Sequence, residues 1–382
     1  MQIQSNANLR DYHTFGIDQS CSHLVEVSSI QDIIDVYRHP KWQSKPKLML
    51  GKGSNMLFTQ PFDGVVIVNR LLGKTVSESD ENWHLHIAGG EDWPSLVQWS
   101  VEEGYFGLEN LAMIPGCAGS APIQNIGAYG LELKEVCDYV DVLDLQSYET
   151  QRLTADECQF GYRDSIFKHD LYQKVIVIAI GLRLPKCWQA KNHYGPLKAL
   201  GASATAQAIF DEVCEVRSQK LPNPDITGNA GSFFKNPVIT QAQFKVLSER
   251  FPDVVAYPAG NDMKVAAGWL IDQCGLKGYQ MGGAQVHPNQ ALVLVNSQHA
   301  SAMDVVTLAA YVREQVLQRY DIELEHEVRF IGRQAETNLN AIIHEGLLSD
   351  DLLSGGVQSD SSFSDSSFSD KKSNPSLTEG DA

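Results

Sequence analysis

Apolar positions follow helical and strand periods in turn along the first hundred residues. A helical spacing over residues 31–38 is followed by two apolar runs, KLML at 47–50 and VVIVN at 65–69, which are typical of buried strands. Alternation at residues 83–89 predicts another strand, and the amphipathic stretch 93–103 predicts a helix. Together these segments predict a small unit that mixes helices and strands.

Strand patterns dominate the next part of the chain, residues 136–184. Its most apolar run, residues 175–182, is far too short to span a bilayer and predicts a buried strand. Thr154 and Glu157 have the spacing of a capping box, which predicts a short helix between the strands.

The segment LPNPDITGNAG at residues 221–231 indicates a domain boundary, because two prolines and two glycines interrupt the pattern there. A helix is predicted just before it, and helices mixed with strands are predicted after it. The predicted helices are 205–220, 241–251, 265–274 and 301–320, and the predicted strands are 291–296 and 322–332.

Composition narrows the class of protein. The 382 residues are 43% hydrophobic, enough to bury a large core in two or three domains. The formal net charge of −17 argues against nonspecific binding of nucleic acid. The 7 cysteines form no C-x-x-C pair and the 11 histidines form no H-E-x-x-H motif, so neither a disulfide framework nor a metal site is predicted. With no signal peptide or membrane span in the pattern, we expect a cytoplasmic protein with reduced thiols.

The end of the chain differs in composition from the rest. From Ser349 it is rich in serine and aspartate, and the unit SDSSF occurs twice in tandem. Such a segment lacks the apolar residues needed to fold alone, so residues 349–382 are predicted to be a disordered tail that catalysis does not require.

Two glycine-rich segments are candidates for binding phosphate, GKGSN at 51–55 and PGCAGSAPIQNIGAYG at 115–130. Glycine lets successive backbone N–H groups approach an anion, so both segments suit a dinucleotide pyrophosphate, although ordinary tight turns have the same composition. The first lacks the third glycine of the Rossmann fingerprint, and Gly73-Lys74-Thr75 lacks the upstream glycine of a P-loop. A Rossmann or P-loop fold is therefore not predicted.

Ser232 lies in GNAGSFFKNP at residues 228–237, between small residues and two aromatic ones. Its hydroxyl is a candidate proton donor, with a serine that bonds to turn backbone as the alternative. The segment does not match G-x-S-x-G and has no His/Asp partner pattern, which argues against an acyl-transfer nucleophile.

The closing strand at 322–332 alternates charged and apolar residues. Glu323, Glu325, Glu327 and Arg329 would share one face, which is usually solvated. Apolar neighbours of Glu327 and Arg329 indicate instead that the end of the strand is interior, where a carboxylate needs a partner.

Arg163 lies among aromatic residues in FGYRDSIFK at 160–168, directly before Asp164. An Arg–Asp pair on the surface and a clamp for a substrate carboxylate both fit this segment. The segment alone does not distinguish the two.

Six segments occur in one order: GKGSN, IPGCAGSAPIQNIGAYG, FGYRDSIFK, GNAGSFFKNP, AAGWLID and EVRFIG. In this combination the chain resembles the UDP-N-acetylenolpyruvoylglucosamine reductases over residues 13–332. Within that family it is similar to the longer type with a tyrosine-bearing insertion, where HYGPL places Tyr194.

The resemblance implies an α+β protein with a two-subdomain FAD-binding fold of the vanillyl-alcohol-oxidase (PCMH) type and a separate α+β substrate-binding domain. Residues 1–71, completed by about 321–346, would form the first FAD-binding subdomain. Residues 72–220 would form the second, and residues 221–320 the substrate-binding domain, which agrees with the break at Leu221.

The resemblance also implies which residues bind the cofactor, FAD. The two glycine-rich segments would surround its pyrophosphate and isoalloxazine, and an arginine of the last strand would touch the flavin. The implied residues are Gly51, Gly53, Ser54, Asn55, Pro115, Gly116, Gly119, Ser120, Ile123, Asn125, Gly127 and Arg329.

For the reaction, the resemblance implies NADPH as the hydride donor and an enolpyruvyl ether of a UDP-sugar as the acceptor. Ser232 would donate a proton, while Arg163 and Glu327 would stabilise the substrate's activated carboxylate. Glu327 helps only if it is protonated or shares a hydrogen bond, because like charges repel. Residues implied to hold the UDP-sugar are Tyr194, Lys220, Asn236, Tyr129, Arg217, Tyr257 and Gln290.

The resemblance therefore implies that the protein is a monomer and catalyses a step in building the bacterial cell wall. Two alternatives remain at this point. A flavin oxidase of hydroxylated small molecules would use the same fold. A binding protein with a vestigial pocket would carry no flavin at all.

Overall fold

The computed structural model describes residues 1–344. The predicted tail, residues 349–382, and the last two residues of the predicted stretch 321–346 lie outside the described residues. Within the described part, no helix combines the length and the apolar composition needed to cross a membrane.

The α-helices lie close to the predicted ones, because their apolar spacing and N-terminal caps define them locally. Ser29, Asp92, Thr205, Thr240 and Ser301 each cap the helix that follows with a side-chain oxygen. The helices are α1 (Ile30–Arg38), α2 (Trp93–Glu102), α3 (Ala206–Lys220), α4 (Gln241–Arg250), α5 (Ala267–Gln273), α6 (Ala302–Tyr320) and α7 (Leu339–His344).

The strands are short and numerous. In chain order they are β1 (Gln2–Asn8), β2 (Ser20–Val27), β3 (Lys47–Leu50), β4 (Met56–Phe58), β5 (Phe62–Asn69), β6 (Lys74–Glu78), β7 (Asn82–Ala88), β8 (Gly127–Ala128), β9 (Leu131–Glu132), β10 (Cys137–Asp144), β11 (Thr150–Thr154), β12 (Val175–Pro185), β13 (Gly228–Ser232), β14 (Val238–Ile239), β15 (Ala256–Ala259), β16 (Asp262–Val265), β17 (Gln280–Met281), β18 (Ala284–Val286), β19 (Val293–Asn296), β20 (Arg329–Ile331) and β21 (Glu336–Thr337).

The first sheet has the order β1-β2-β5-β3, with β2, β5 and β3 parallel to one another. Consecutive parallel strands need a crossover connection, and α1 provides it between β2 and β3, which lie on either side of β5. One face of this sheet packs on Ile33 and Val36 of α1, and the opposite face packs on Phe58. The loop after β3 therefore leaves the carboxyl edge of a buried parallel sheet.

The second sheet is antiparallel, in the order β11-β10-β12-β7-β6. Period-two alternation decides its faces. Leu85 and Ile87 of β7 point into a core shared with α2 and α3, while His84 and His86 point away from it.

The short helix predicted at Thr154 and Glu157 is wrong. The reciprocal bonds of a capping box do form, with Glu157 N donating to Thr154 Oγ1 at 3.3 Å and Thr154 N donating to Glu157 Oε2 at 2.8 Å. They close a single turn, because Gln159 has a φ of +47° and a left-handed residue cannot continue the helix.

The third main sheet, β13-β19-β18-β17, packs against α5 and α6. A small sheet, β14-β16-β15, lies beside it and carries Lys264. The core of this region also contains Phe15, Leu57 and Phe330, which come from the two ends of the described chain.

The closing strand predicted at 322–332 forms only as β20. Residues before it hydrogen-bond instead to the segment that follows β13: Glu327 N donates to Phe233 O at 2.8 Å, and Lys235 N donates to Glu325 O at 2.8 Å. β20 itself pairs in parallel with β4. The side chains of this segment therefore alternate as in a strand, but most of the segment's backbone hydrogen bonds go to a loop rather than to a sheet.

Candidate functional site

The two glycine-rich segments meet. Ser54 Oγ, after β3, donates to the carbonyl oxygen of Pro115 at 2.8 Å. Gly116 has a φ of +145°, and a Cβ built there would lie 3.1 Å from Ser120 Oγ and 3.4 Å from Ser54 Oγ. A larger residue at 116 would fill the space between the loops, so this is a cradle that glycine keeps open.

Further contacts bind the cradle to the rest of the protein. Gly53 has a φ of +61°, and a Cβ there would lie 2.4 Å from Tyr12 O, so a side chain is excluded. Gly51 lies against the Cys117 side chain, since its added Cβ would be 3.2 Å from Sγ. Gly119 N donates to a main-chain oxygen beside β7 at 2.8 Å. The backbone of both loops is thus held in place from several sides.

Asn55 and Gln124 connect the cradle to Glu327 through hydrogen bonds. Asn55 Nδ2 donates to Gln124 Oε1 at 2.8 Å and to Glu327 O at 3.3 Å, and Gln124 Nε2 reaches Glu327 Oε1 at 3.5 Å. Arg329 N donates to Asn55 O at 3.1 Å. Sequence reasoning missed Gln124, although its place inside the second glycine-rich segment was a signal.

Arg163 and Glu327 form an ion pair, with Nε 3.1 Å from Oε1 and only 17% and 11% of the two side chains exposed. The Nε group makes no hydrogen bond, so the contact is electrostatic, and Nη2 donates to Gly127 O at 3.1 Å. The surface pair of Arg163 with Asp164 does not form, since Asp164 contacts His169 at 2.8 Å. Arg163 is therefore an enclosed cation rather than part of a surface Arg–Asp pair, and the clamp for a substrate carboxylate stays a prediction.

Burial separates the four charges predicted to share one face. The side chains of Glu323 and Glu325 are 58% and 71% exposed, whereas those of Glu327 and Arg329 are 11% and 29% exposed. Glu323 and Glu325 are therefore solvated, whereas Glu327 and Arg329 lie further inside, in the direction that their apolar neighbours indicated.

Ser232 ends β13 next to this pair. The following residue, Phe233, accepts the main-chain hydrogen bond of Glu327, so the serine lies within one residue of the Glu327 backbone. Ser232 pairs with Val293 of β19 and is half-buried. Gln290 lies in the turn before β19, where its carbonyl accepts from Val293 N at 3.1 Å. The structure thus brings Arg163 and Glu327 into contact and places Ser232 one residue from a main-chain partner of Glu327.

A buried cation, Arg217 of α3, lies within electrostatic range of Arg163. It is 8% exposed, and its Nε has no hydrogen-bond partner among residues 1–344. Burial lowers its pKa, which the phenol of Tyr129 opposes and the charge of Arg163 reinforces. The pKa of Tyr129 is raised by burial against the pull of Arg217. A buried guanidinium whose Nε is unpaired lacks part of the hydrogen bonding that burial requires.

Lys264 and Tyr162, which sequence reasoning missed, extend this positive region. Lys264 Nζ lies 4.5 Å from the ring centroid of Tyr162. Burial and then the charge of Arg163 lower the pKa of Lys264. Asn236 lies near the phenol of Tyr162, and its Oδ1 accepts from Ala267 N at 2.9 Å, where α5 starts two residues later than predicted. Lys264 lies in no recognisable motif.

The other predicted substrate residues border the same region. Tyr257 is opposite Lys264 in the β15–β16 ladder. Tyr194 lies against Gly130: a Cβ added to Gly130 would lie 3.2 Å from the Cβ of Tyr194. Lys220 is the last residue of α3, nearly one turn beyond Arg217.

Arg329 is held by Glu336 through two bonds of 3.0 and 2.8 Å, and Tyr172 Oη donates to the same carboxylate at 2.9 Å. Burial alone would lower the pKa of Arg329, but Glu336 outweighs it and the pKa is raised. Arg329 is therefore a fixed cation beside Asn55.

Three residues predicted to bind the cofactor make hydrogen bonds that hold the second glycine-rich segment in place. Asn125 is fully buried, and its Nδ2 donates to Glu132 at 3.0 Å and to Gly161 O at 2.9 Å. Ile123 O accepts from Ser165 Oγ at 2.7 Å, and Gly127 O accepts from Arg163. These bonds fasten the second glycine-rich segment to the segment of Arg163, so any cofactor contact of Asn125 is left to its backbone.

No group of three or more His, Cys, Asp or Glu side chains suited to a metal ion occurs in the described part of the chain. The charged groups of the site are instead the cations described above and the carboxylates of Glu327, Glu336 and Glu132.

The fold and the cradle define the class of protein as an FAD-dependent oxidoreductase with an α+β FAD-binding fold. A family model described as FAD binding domain matches residues 21–152. A second model, described as UDP-N-acetylenolpyruvoylglucosamine reductase, C-terminal domain, matches residues 222–331.

Whole-chain relatives give the particular family. A UDP-N-acetylenolpyruvoylglucosamine reductase of Vibrio parahaemolyticus is 62% identical, covering 90% of this chain and 99% of its own. One of Pasteurella multocida is 52% identical over 87% and 98%. The crystal structure of the Thermus caldophilus reductase, at 24% identity and a TM-score of 0.60, covers 86% of this chain and 98% of that chain and shows the same fold. The chain belongs to the UDP-N-acetylenolpyruvoylglucosamine reductase family.

Proposed function

We propose that this protein uses NADPH and FAD to reduce UDP-N-acetylenolpyruvoylglucosamine to UDP-N-acetylmuramate, a step in the synthesis of peptidoglycan precursors. The observation that carries the proposal is the enclosed Arg163–Glu327 pair, at 3.1 Å, linked by Gln124 and Asn55 to the glycine cradle. It places groups suited to a carboxylate beside groups suited to a flavin.

The cradle fits FAD. A Cβ at Gly116 would fill the space between its two loops, and glycine at this position lets a pyrophosphate approach the backbone closely. Asn55 and Arg329 would hold the isoalloxazine end, because Asn55 joins the first loop to Glu327 and the main chain of Arg329 bonds to Asn55. When bound, FAD accepts hydride from NADPH and passes it to the substrate.

Arg163 would meet the charge that develops during reduction. Hydride added at the β carbon of an enolpyruvyl group leaves negative charge on the α carbon and on the carboxylate. A fixed cation aimed at that charge stabilises the transition state by about 3–4 kcal/mol. The contacts of Arg163 with Gly127 O and Glu327 hold its guanidinium in one orientation before substrate arrives.

Ser232 would protonate the α carbon. Its position at the end of β13, one residue from the main-chain contact of Glu327, supports this role. Loss of this proton would leave an alkoxide on Ser232, which needs a stabilising donor. Lys235 is a poor candidate for that role, since its ammonium is paired with Glu325 at 2.5 Å. In the turn at 228–231, the main-chain N–H groups of Asn229 and Gly231 are likewise occupied, by Thr14 O and by Asn229 Oδ1.

The positive region near Arg163 would hold the UDP group. A diphosphate needs cations and amide donors, and Arg217, Lys264 and Asn236 surround this part of the site. The further substrate contacts that we propose are Tyr194, Lys220, Tyr129, Tyr257 and Gln290.

The function is tested anaerobically with purified protein. We expect NADPH to bleach the flavin absorbance and UDP-N-acetylenolpyruvoylglucosamine to restore it. A flavin oxidase would ignore NADPH and be reoxidised quickly by oxygen. A colourless protein that takes up no added FAD would support the binding-protein alternative.

We expect the FAD to be noncovalent. Cys117 is the one cysteine inside the two glycine-rich loops; it is 3% exposed and burial raises its pKa, so little thiolate is available to form a link. After acid precipitation the yellow colour is expected in the supernatant. Flavin that stays with the pellet in the wild type but not in Cys117→Ser would contradict this expectation.

Lys220→Ala is expected to weaken binding of the UDP-sugar about 10- to 100-fold and to change flavin reduction by NADPH less than about 2-fold, because a charge-assisted bond to a diphosphate contributes about 1.5–3 kcal/mol. Titration of the flavin spectrum with substrate measures the first effect. Lys245→Ala, on the exposed face of α4, is the matched control. Unchanged binding would remove Lys220 from the site.

The same proposal covers the organisation of the chain. We propose two FAD-binding subdomains, 1–71 with 321–346 and 72–220, and a substrate-binding domain at 221–320. The contact of Phe330 and Leu57 in one core supports the return of the chain to its first part. We also propose a cytoplasmic monomer that binds no nucleic acid.

A further inference from the structure

Lys168 lies just after Arg163 and has no role in the reaction as described above. It is half-buried at the end of the 3-10 helix Ile166–Lys168. Its Nζ donates to the main-chain oxygen of Arg163 at 2.7 Å. A lysine that directs its ammonium back onto a neighbouring carbonyl, instead of into solvent, is a feature that needs a reason.

The backbone of Arg163 supplies the reason. Its φ is +53°, a left-handed conformation that residues other than glycine, asparagine and aspartate rarely adopt. It lies in a tight turn in which Gly161 and Asp164 exchange main-chain bonds of 2.9 and 3.4 Å. Such a residue persists only where its surroundings fix it.

Each end of this turn has its own anchor. Asn125 Nδ2 donates to Gly161 O at 2.9 Å, and His169 Nε2 lies 2.8 Å from an Asp164 oxygen. The bond from Lys168 is the one directed at the carbonyl of Arg163 itself. It therefore bears on the residue that carries the guanidinium.

The ammonium also lies within electrostatic reach of the site. Burial and the charge of Lys235 lower the pKa of Lys168, while the carboxylates of Glu327 and Asp164 raise it and Arg329 lowers it further. A neutral methylene chain at this position would leave Glu327 with less positive charge around it.

We propose that Lys168 is a positioning residue for the reduction, holding the main-chain oxygen of Arg163 so that the guanidinium stays against Glu327 and faces the substrate carboxylate. This inference rests on the proposed function, in which Arg163 meets the developing charge. Lys168 acts through Arg163 and does not touch the substrate.

The test separates the two half-reactions in Lys168→Met and Lys168→Arg. In Lys168→Met we expect flavin reoxidation by the UDP-sugar to slow about 10- to 100-fold, the scale that a misplaced group costs. Flavin reduction by NADPH and the dissociation constant of the UDP-sugar are expected to change less than about 3-fold. Lys168→Arg keeps a cationic donor and should recover most of the lost rate.

A double-mutant cycle with Arg163→Met tests whether the effect passes through Arg163. If it does, adding Lys168→Met to Arg163→Met slows reoxidation no further. Equal slowing in both backgrounds would overturn the proposal, because Lys168 would then act by itself. Exposed Lys174→Met is the control, expected at the wild-type rate.

The outcomes separate this proposal from the proposed function. Arg163→Met at the wild-type rate would contradict the role of Arg163 and remove with it any role for Lys168. A slow Arg163→Met with a fast Lys168→Met would overturn only the proposal for Lys168. Loss of bound flavin or a lower melting temperature in both Lys168 variants would also overturn it, in favour of a structural role.

Discussion

Ser232→Ala is expected to slow flavin reoxidation by the enolpyruvyl substrate by about three orders of magnitude, within the 10²–10⁴-fold range of general acid catalysis. The hydride half-reaction leaves a strongly basic α carbon, and a serine hydroxyl is acidic enough only for such a centre. Reduction by NADPH precedes this step, so its rate should stay close to that of the wild type. Stopped-flow absorbance in the flavin band separates the two rates.

The control for Ser232→Ala is Ser248→Ala, on the surface helix α4, where Oγ bonds only within the helix to Lys245 O at 3.0 Å. Ser232→Cys keeps an ionisable hydrogen, and its rate of flavin reoxidation is expected to fall between the rates of the wild type and of Ser232→Ala. Reoxidation of Ser232→Ala at nearly the wild-type rate, with substrate bound normally, would assign the proton to water or to another residue.

Arg163→Met is expected to reduce the rate of reoxidation about 10²- to 10³-fold, the effect of losing one fixed donor at a developing anion. The substitution also leaves Glu327, 11% exposed, without its cation. Substrate affinity should fall less than the rate, because the UDP group is held by other residues. Single-turnover rates at saturating substrate measure the first effect, and spectral titration measures the second.

Arg183→Met provides the matched control, since Arg183 pairs with Asp138 at 3.4 Å on the outer side of the antiparallel sheet. A similar loss in both variants would indicate general damage to the protein. A loss confined to substrate affinity would show that Arg163 binds the carboxylate equally well before and during the reaction.

The sequence predicted the helices well because a helix is defined locally, by apolar spacing and by a cap such as Ser29 or Ser301. The prediction was wrong where residues distant in the chain determine which structure a local pattern adopts. Residues 322–328 alternate as a strand should, yet their backbone bonds go to the segment after Ser232. Thr154 and Glu157 bond as a capping box should, yet the chain turns away at Gln159.

The site was predictable only in part for the same reason. Apolar neighbours indicated that Glu327 is interior and needs a partner, but nothing local identified that partner as Arg163. Gln124 and Lys168 lie within PGCAGSAPIQNIGAYG and FGYRDSIFK, but nothing in these segments distinguishes them from their polar neighbours, and Lys264 lies in no recognisable motif. Their importance lies in distances to groups far along the chain, which a single sequence does not contain.

The pairing of β4 with β20 also has a consequence for biosynthesis. Thr59 bonds to Ile331, which follows it by 272 residues, and Asn55 bonds to Glu327 across the same interval. At about 5–20 residues per second, a ribosome needs roughly 15–55 s to make the intervening chain. Throughout that time the first glycine-rich loop lacks the strand that completes it. Productive capture of the flavin is thus expected only near the end of translation, and a nascent chain stalled before Glu327 would have no complete active site.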